Sequence, residues 1–149
     1  MLKHISWSVL PLVAGLFVMV EALARTGVTE QLDRVLQAEA QGSMAATSWV
    51  AGAIVAVVCN LMNNLPAGLI AGSAGTTASL PPQITGALLI GIDLGPNLSV
   101  TGSLATILWL VALRRDGQEV STWQFLRLGA VVTSPALLLA LTGFVLVQM

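Results

Sequence analysis

Asp93 is the residue with the most chemistry to offer in this sequence. It is a lone carboxylate inside a long apolar stretch, Gln83 to Leu113, at the head of the run Asp93-Leu94-Gly95-Pro96-Asn97. An ionisable group within an apolar membrane segment is costly, and such groups mark ion pathways, substrate sites and proton relays. Two roles are open to it: carrying a proton, or capping and bonding backbone freed at the interruption. Upstream, Asn60, Asn63 and Asn64 crowd in front of Pro66. Amides both donate and accept hydrogen bonds, so they suit a neutral polyhydroxy solute or a sodium ion. Their alternative task is to satisfy backbone groups at a turn. Asn97, Ser99, Thr101 and Ser103 follow the interruption. As the opening of a second half-helix, Asn97 and Thr101 share one face, as do Ser99 and Ser103. Free N–H groups at such a start attract anions or oxygen-rich solutes; small residues there, Ser103 above all, serve helix packing equally well.

Other chemistries find no residues to carry them. His4 is the only histidine and Cys59 the only cysteine, so no catalytic constellation, intrachain disulfide or cysteine-cluster metal site is expected. No Walker A sequence is present, so ATP hydrolysis by that route is excluded. A net charge of −1 offers no basic patch for nucleic acid. No metal and no cofactor are expected.

The elements that position these residues belong in a bilayer. The sequence is 56% hydrophobic and only 9% charged, against about 25% charged in soluble domains. Lipid is the natural solvent for such a chain. Trp7, Trp49, Trp109 and Trp123 are candidates for the membrane–water boundary.

A first apolar segment, residues 5–24, is long enough to cross a hydrocarbon core of about 30 Å. Lys3, His4 and the small-x-small run Ala22-Leu23-Ala24 give it some look of a cleavable signal. Glu21 beside that run and the near-spanning length favour a retained helix. Residues 26–41 carry Val28, Leu32, Val35 and Leu36 at helical spacing, with Glu30, Asp33, Arg34 and Glu39 between them, which predicts an amphipathic helix on the membrane surface.

Residues 45–76 contain two apolar arms around the Asn-Pro cluster. The first arm, Ala45 to Cys59, would be a helix of about 22 Å, short of a crossing. A re-entrant hairpin turning at Asn60 to Pro66 is predicted, tolerated where protein or water covers its tip. Residues 83–113 would be about 46 Å long as one helix. Gly95 and Pro96 break it into two halves, since proline removes a helix hydrogen bond and glycine weakens the remainder. Residues 124–148 span fully, with a kink expected at Pro135. The fold class is an all-α membrane protein with about three spanning helices, one of them broken, plus a re-entrant hairpin and a surface amphipathic helix. Lys3, Arg114, Arg115 and Arg127 fall on one side and Arg25 and Arg34 on the other, so the first side is expected to be cytoplasmic.

Two long runs carry a family resemblance. VCNLMNNLPAGLIAGSA, residues 58–74, and ITGALLIGIDLGPNLSVTGSLATILWLVALRR, residues 84–115, resemble the C-terminal repeat of the arsenical pump membrane protein family, within the ion transporter superfamily. LFVMVEALARTGVTEQL, residues 16–32, is similar to the same family just upstream. The resemblance implies half of an inverted-repeat transporter, each repeat with a re-entrant hairpin and a broken helix. Carried over by position, the hairpin tip is Asn60 to Pro66 and the unwound break Asp93 to Asn97.

The implied activity is export of arsenite or antimonite across a bacterial inner membrane by a multi-pass protein. It is driven by protons, or by ATP when a soluble arsenite-stimulated ATPase partner binds. Asn60, Asn63, Asn64, Asn97, Ser99 and Thr101 would hold the substrate and Asp93 the coupling proton. Cys59 is a tempting ligand for thiophilic arsenic, but one thiol makes no multi-thiolate site, and free cysteine is commonly a buried small hydrophobe. Family members are much longer. The expectation is therefore a partial carrier: a fragment, a truncated product, or a half that pairs with another chain. Two rivals remain: a sodium/proton or other ion carrier of the same superfamily, and a non-transporting membrane protein that binds a full-length carrier or its ATPase.

Overall fold

The computed structural model describes residues 9–77 and 80–148, and every described element is helical. Seven α-helices follow one another: α1 Val9–Ala24, α2 Val28–Gly42, α3 Met44–Met62, α4 Asn64–Thr77, α5 Pro82–Leu94, α6 Leu104–Arg115 and α7 Thr122–Val147. Among them, α3 and α7 are long and apolar enough to cross a membrane by length and composition. The start of the predicted first span, with Lys3, His4 and Trp7, lies outside the described residues.

Local chemistry accounts for most helix ends. Ser43 caps α3 by accepting from the Ala46 N–H, and Ser103 caps α6 by accepting from the Ala105 N–H. At α7, the Ser121 hydroxyl and the Gln124 side chain satisfy each other's backbone N–H groups in a capping box. Pro135 lies inside α7. Gly27 takes a left-handed φ of 80° between α1 and α2, a conformation glycine adopts without steric cost.

The centre of the molecule is the pairing of α3 with α5. These helices run parallel: Gly52 packs against Ala87 and Gly91, and Ala56 packs against Gly95. A Cβ at Gly91 would run into the Gly52 carbonyl oxygen, so the two backbones approach as closely as two glycines permit. α7 runs antiparallel to both. Leu141 meets Gly52, Phe144 covers Gly86, and Gly129 sits against the carbonyls of Asn97 and Leu98. Trp49 Nε1 donates to Thr142 Oγ1 at 3.3 Å and ties α3 to α7. Ala51, Val55 and Cys59 of α3, Ala67 and Ala71 of α4, and Ile84 and Leu88 of α5 share one buried apolar cluster, so α4 folds back along α3.

The amphipathic helix differs from its predicted pattern. α2 buries Thr29, Asp33 and Leu36, whereas the spacing of Val28, Leu32, Val35 and Leu36 predicts Asp33 on the wet face. The buried stripe is rotated toward α3 and α4 because Leu36 joins their core, and Asp33 is carried in with it.

Candidate functional site

Two interruptions meet in space. The first is Asn63, between α3 and α4, with φ 74° and ψ 152°. That pair of angles lies outside the left-handed helical region asparagine commonly visits and is strained for any side chain; Asn63 Oδ1 accepts the N–H of Leu65 and holds the turn. Pro66 is buried in the first turn of α4, where its missing N–H costs nothing. The second interruption is longer than the Asp93–Asn97 run. Two 3-10 segments, Gly95–Leu98 and Val100–Gly102, alternate with extended residues Ser99 and Ser103 before α6 starts at Leu104. The second half-helix therefore does not open at Asn97, and the facial pairing expected of Asn97 with Thr101 and Ser99 with Ser103 does not apply.

Asn60 joins the two interruptions. Its Nδ2 donates to the Ala56 carbonyl at 2.8 Å and to the Gly95 carbonyl at 2.9 Å. Its Oδ1 accepts from Ser99 Oγ at 2.8 Å, and its backbone carbonyl accepts from Thr101 Oγ1 at 3.0 Å. The two hydroxyls lie 3.1 Å apart. Asn63 Nδ2 adds a bond to the Thr101 carbonyl at 3.3 Å. One amide hydrogen of Asn60 thus goes back to a carbonyl of its own helix and the other to the Gly95 carbonyl, where α5 gives way to the 3-10 segment. Asn97 Nδ2 does similar work within the break, donating to the Asp93 and Leu94 carbonyls at 3.1 and 3.2 Å.

The remaining predicted residues stand at the edge of this network. Asn64 opens α4, partly exposed, and its side chain makes none of these bonds. Asp93, Asn97 and Thr101 are exposed, Thr101 while also bonded to Asn60 and Asn63. The polar residues singled out in the sequence therefore fall in one region: Asn60, Asn63, Ser99 and Thr101 are joined by the network, with Thr101 also exposed, while half-buried Asn64 and exposed Asp93 and Asn97 lie beside it. Buried Gly95 and Pro96 pass behind them, against Ala56 of α3 and Gly102.

Other features lie elsewhere. A cavity of about 650 Å³ is an apolar groove between α2 and the α3–α4 pair, lined by residues such as Leu32, Val35, Ile54 and Ile70. Its lining is mostly aliphatic, with Glu39, Ser43 and Thr47 the polar side chains among it. Cys59 is fully buried in the apolar core, away from the polar face. Among the described residues no three His, Cys, Asp or Glu side chains come together as metal ligands. Asp33 and Ser48, both buried with unpartnered oxygens, escaped the sequence reading. Burial, and secondarily the charge of Glu30, raises the Asp33 pKa.

Two apolar helices long enough to span a bilayer, packed around a polar and partly unwound crossing, fit the class of all-α membrane proteins. A family model described as arsenical pump membrane protein matches residues 1–148, and the chain belongs to that family. It is 34% identical to an uncharacterized transporter of Mycobacterium tuberculosis over 148 residues, covering 93% of this chain and 34% of that protein. It is 32% identical to the arsenical pump membrane proteins of Escherichia coli K12 and Yersinia enterocolitica over 149 residues, covering 97% of this chain and 35% of each. The chain thus spans about a third of the length of the curated relatives it matches. No solved structure matches it.

Proposed function

We propose that this chain is the C-terminal transport repeat of an arsenite and antimonite efflux carrier in a bacterial inner membrane. It forms half of an inverted-repeat, multi-pass transporter, completed by an N-terminal repeat or an oligomer partner. In this reading α3 and α4 are the arms of a re-entrant hairpin, and α5 and α6 are the halves of a broken spanning helix.

One observation carries the proposal. The hydrogen bonds of Asn60 with Gly95 and Ser99 join the α3–α4 turn to the α5–α6 break at the level of Gly129. Gly129 lies about 10 Å along α7 from Thr122, which supports reading the break, and the turn bonded to it, as lying within the span that α7 would supply. Irregular backbone at that depth is tolerated where it lines a protein-covered or watered cavity, the position in which secondary transporters bind substrate. α3 itself runs to Met62 and is longer than its apolar run, so depth against α7, rather than arm length, supports the hairpin.

Arsenite near neutral pH is mostly the uncharged trihydroxide. Asn60, Asn63 and Ser99 hold the break open. Asn64, Asn97 and Thr101 present amide and hydroxyl groups to the substrate, replacing its bonds to water. Asp93, also exposed, loads a proton from outside and releases it inside as substrate leaves. A soluble arsenite-stimulated ATPase drives the same path when bound. A carboxylate substrate is disfavoured, because no Arg or Lys occurs between Arg34 and Arg114.

The test is arsenite accumulation in arsenite-sensitive cells expressing this chain, alone and joined to the upstream repeat of a family member. Lower accumulation in either form supports the carrier. Unchanged accumulation together with sodium-dependent proton movement in vesicles would replace it with the ion-carrier rival, and neither activity would leave the interaction-protein rival.

A further inference from the structure

α2 carries a carboxylate that neither the polar crossing nor the apolar core uses. Of its 15 residues it buries Thr29, Asp33 and Leu36, which follow one another along a single helical stripe. Leu36 sits in the apolar cluster with Ala51 and Val55 of α3 and Ala67 and Ala71 of α4. Asp33, one turn earlier on the same stripe, is 6% exposed, and its Oδ1 has no hydrogen-bond partner among the described residues.

No cation offsets this carboxylate. The helices packed against α2 are α1, α3 and α4. α4 has no ionisable residue, and α3 has only Cys59, inside the apolar cluster. α1 offers Glu21, which is paired with Arg25 at 2.9 Å, both side chains well exposed. On α2 itself, Glu30 adds like charge. Arg34 is exposed and forms no ion pair with Asp33, and Glu39 is exposed too.

The connections at both ends of α2 allow it to move as a unit. Gly27, left-handed at φ 80°, precedes it, and Ser43, extended at φ −159°, is the one residue between it and α3. Residues at helix ends absorb the backbone changes of hinge motions. Burying an ionised carboxylate without a partner costs more than burying one leucine returns, whereas a protonated carboxyl is only a polar group. One proton is therefore enough to decide whether α2 stays seated.

We propose that Asp33 is a proton-operated latch: with its carboxyl protonated α2 lies docked on α3 and α4, and with the proton lost α2 swings out on Gly27 and Ser43. The latch uses none of the residues of the polar crossing and does not depend on what the chain carries. Burial, reinforced by Glu30, raises the Asp33 pKa in the docked helix. The docked form is thus favoured fully below the ordinary value of 3.8 and loses favour as pH rises through the docked pKa.

Hydrogen exchange of the purified full chain in lipid nanodiscs tests it, read as protection factors of the α2 amides from the ordinary Asp33 value of 3.8 to above neutrality. In the native chain α2 protection should fall as pH rises, by up to about tenfold per pH unit, the limit for one proton, while the amides of α5 and α7 keep theirs. Asp33→Asn should make α2 protection independent of pH and higher than native at neutrality. Glu30→Gln should keep the fall but reduce its extent, because less like charge opposes the ionised docked form. A fall of native size in Asp33→Asn, a fall abolished by Glu30→Gln, or no α2 protection at any pH would overturn the proposal. So would loss of protection in α5 and α7 together with α2, which is unfolding of the whole chain rather than release of one helix.

Discussion

Along the α3–α5 pair, packing changes character within about one turn of α5 and two of α3. At Gly52 and Gly91 the helices touch backbone to backbone, with no room for a single added carbon. At Asn60 and Gly95 they are joined by side-chain hydrogen bonds across unwound chain. The first region is apolar and fixes the distance between helices; the second is polar and leaves the chain after Leu94 free to leave the helix. Close packing at the seam is what allows the break to persist. Without it, the freed Gly95 carbonyl would have neither a helix nor Asn60 to satisfy it.

The comparison can be broken most severely at the seam. Gly91→Val forces α3 and α5 apart, and overpacking of this kind costs about 1–3 kcal/mol or more. Here the obstacle is backbone, so little folded protein should be recovered from membranes, as read by protease resistance and detergent melting. Asn60→Ala should leave the seam intact while stranding the Gly95 carbonyl and the Ser99 hydroxyl, destabilising by about 1–3 kcal/mol. Export should fall with it, whereas a purely local role would lower the melting temperature alone.

A smaller effect is expected at α2, outside both regions. The raised Asp33 pKa means the docked helix holds a proton more tightly than the undocked one. The stability so gained is fully present below the ordinary value of 3.8 and is lost as pH rises through the folded-state pKa. Asp33→Asn should therefore flatten the pH dependence of melting and raise stability near neutrality. Smallest of all, Cys59→Ala should leave export unchanged, since the thiol is buried in the core cluster and faces neither region. A loss of export without a loss of folded protein would restore Cys59 as a ligand.

The sequence revealed these regions unequally. The break was legible at Asp93-Leu94-Gly95-Pro96-Asn97 because proline and glycine act through local geometry. Its extension to Ser103 was not, because Ser99 is held by Asn60 from 39 residues away. For the same reason the end of α3 was misplaced. Asn60 looked like a helix breaker, yet it stays helical by bonding Ala56 and Gly95. The close approach of Gly91 to Gly52 had no local sign, because Gly52 stands in an ordinary apolar run. Periodicity put Asp33 on the wet side of α2; which neighbours α2 meets is a tertiary fact that spacing does not contain. Ser48 gave no sign at all, since a serine in an apolar helix usually means packing.

The central claim is that the break is where transport is coupled to protons, and Asp93 is its one ionisable group. The most direct measurement is proton-gradient-driven arsenite uptake into everted vesicles by a carrier containing this segment, native against Asp93→Asn. Asp93 is exposed and its carboxylate holds no part of the network, so the variant should fold and reach the membrane as the native carrier does. The account predicts that gradient-driven uptake disappears in it. Uptake at the native rate would remove Asp93 from the mechanism and the proton from the break.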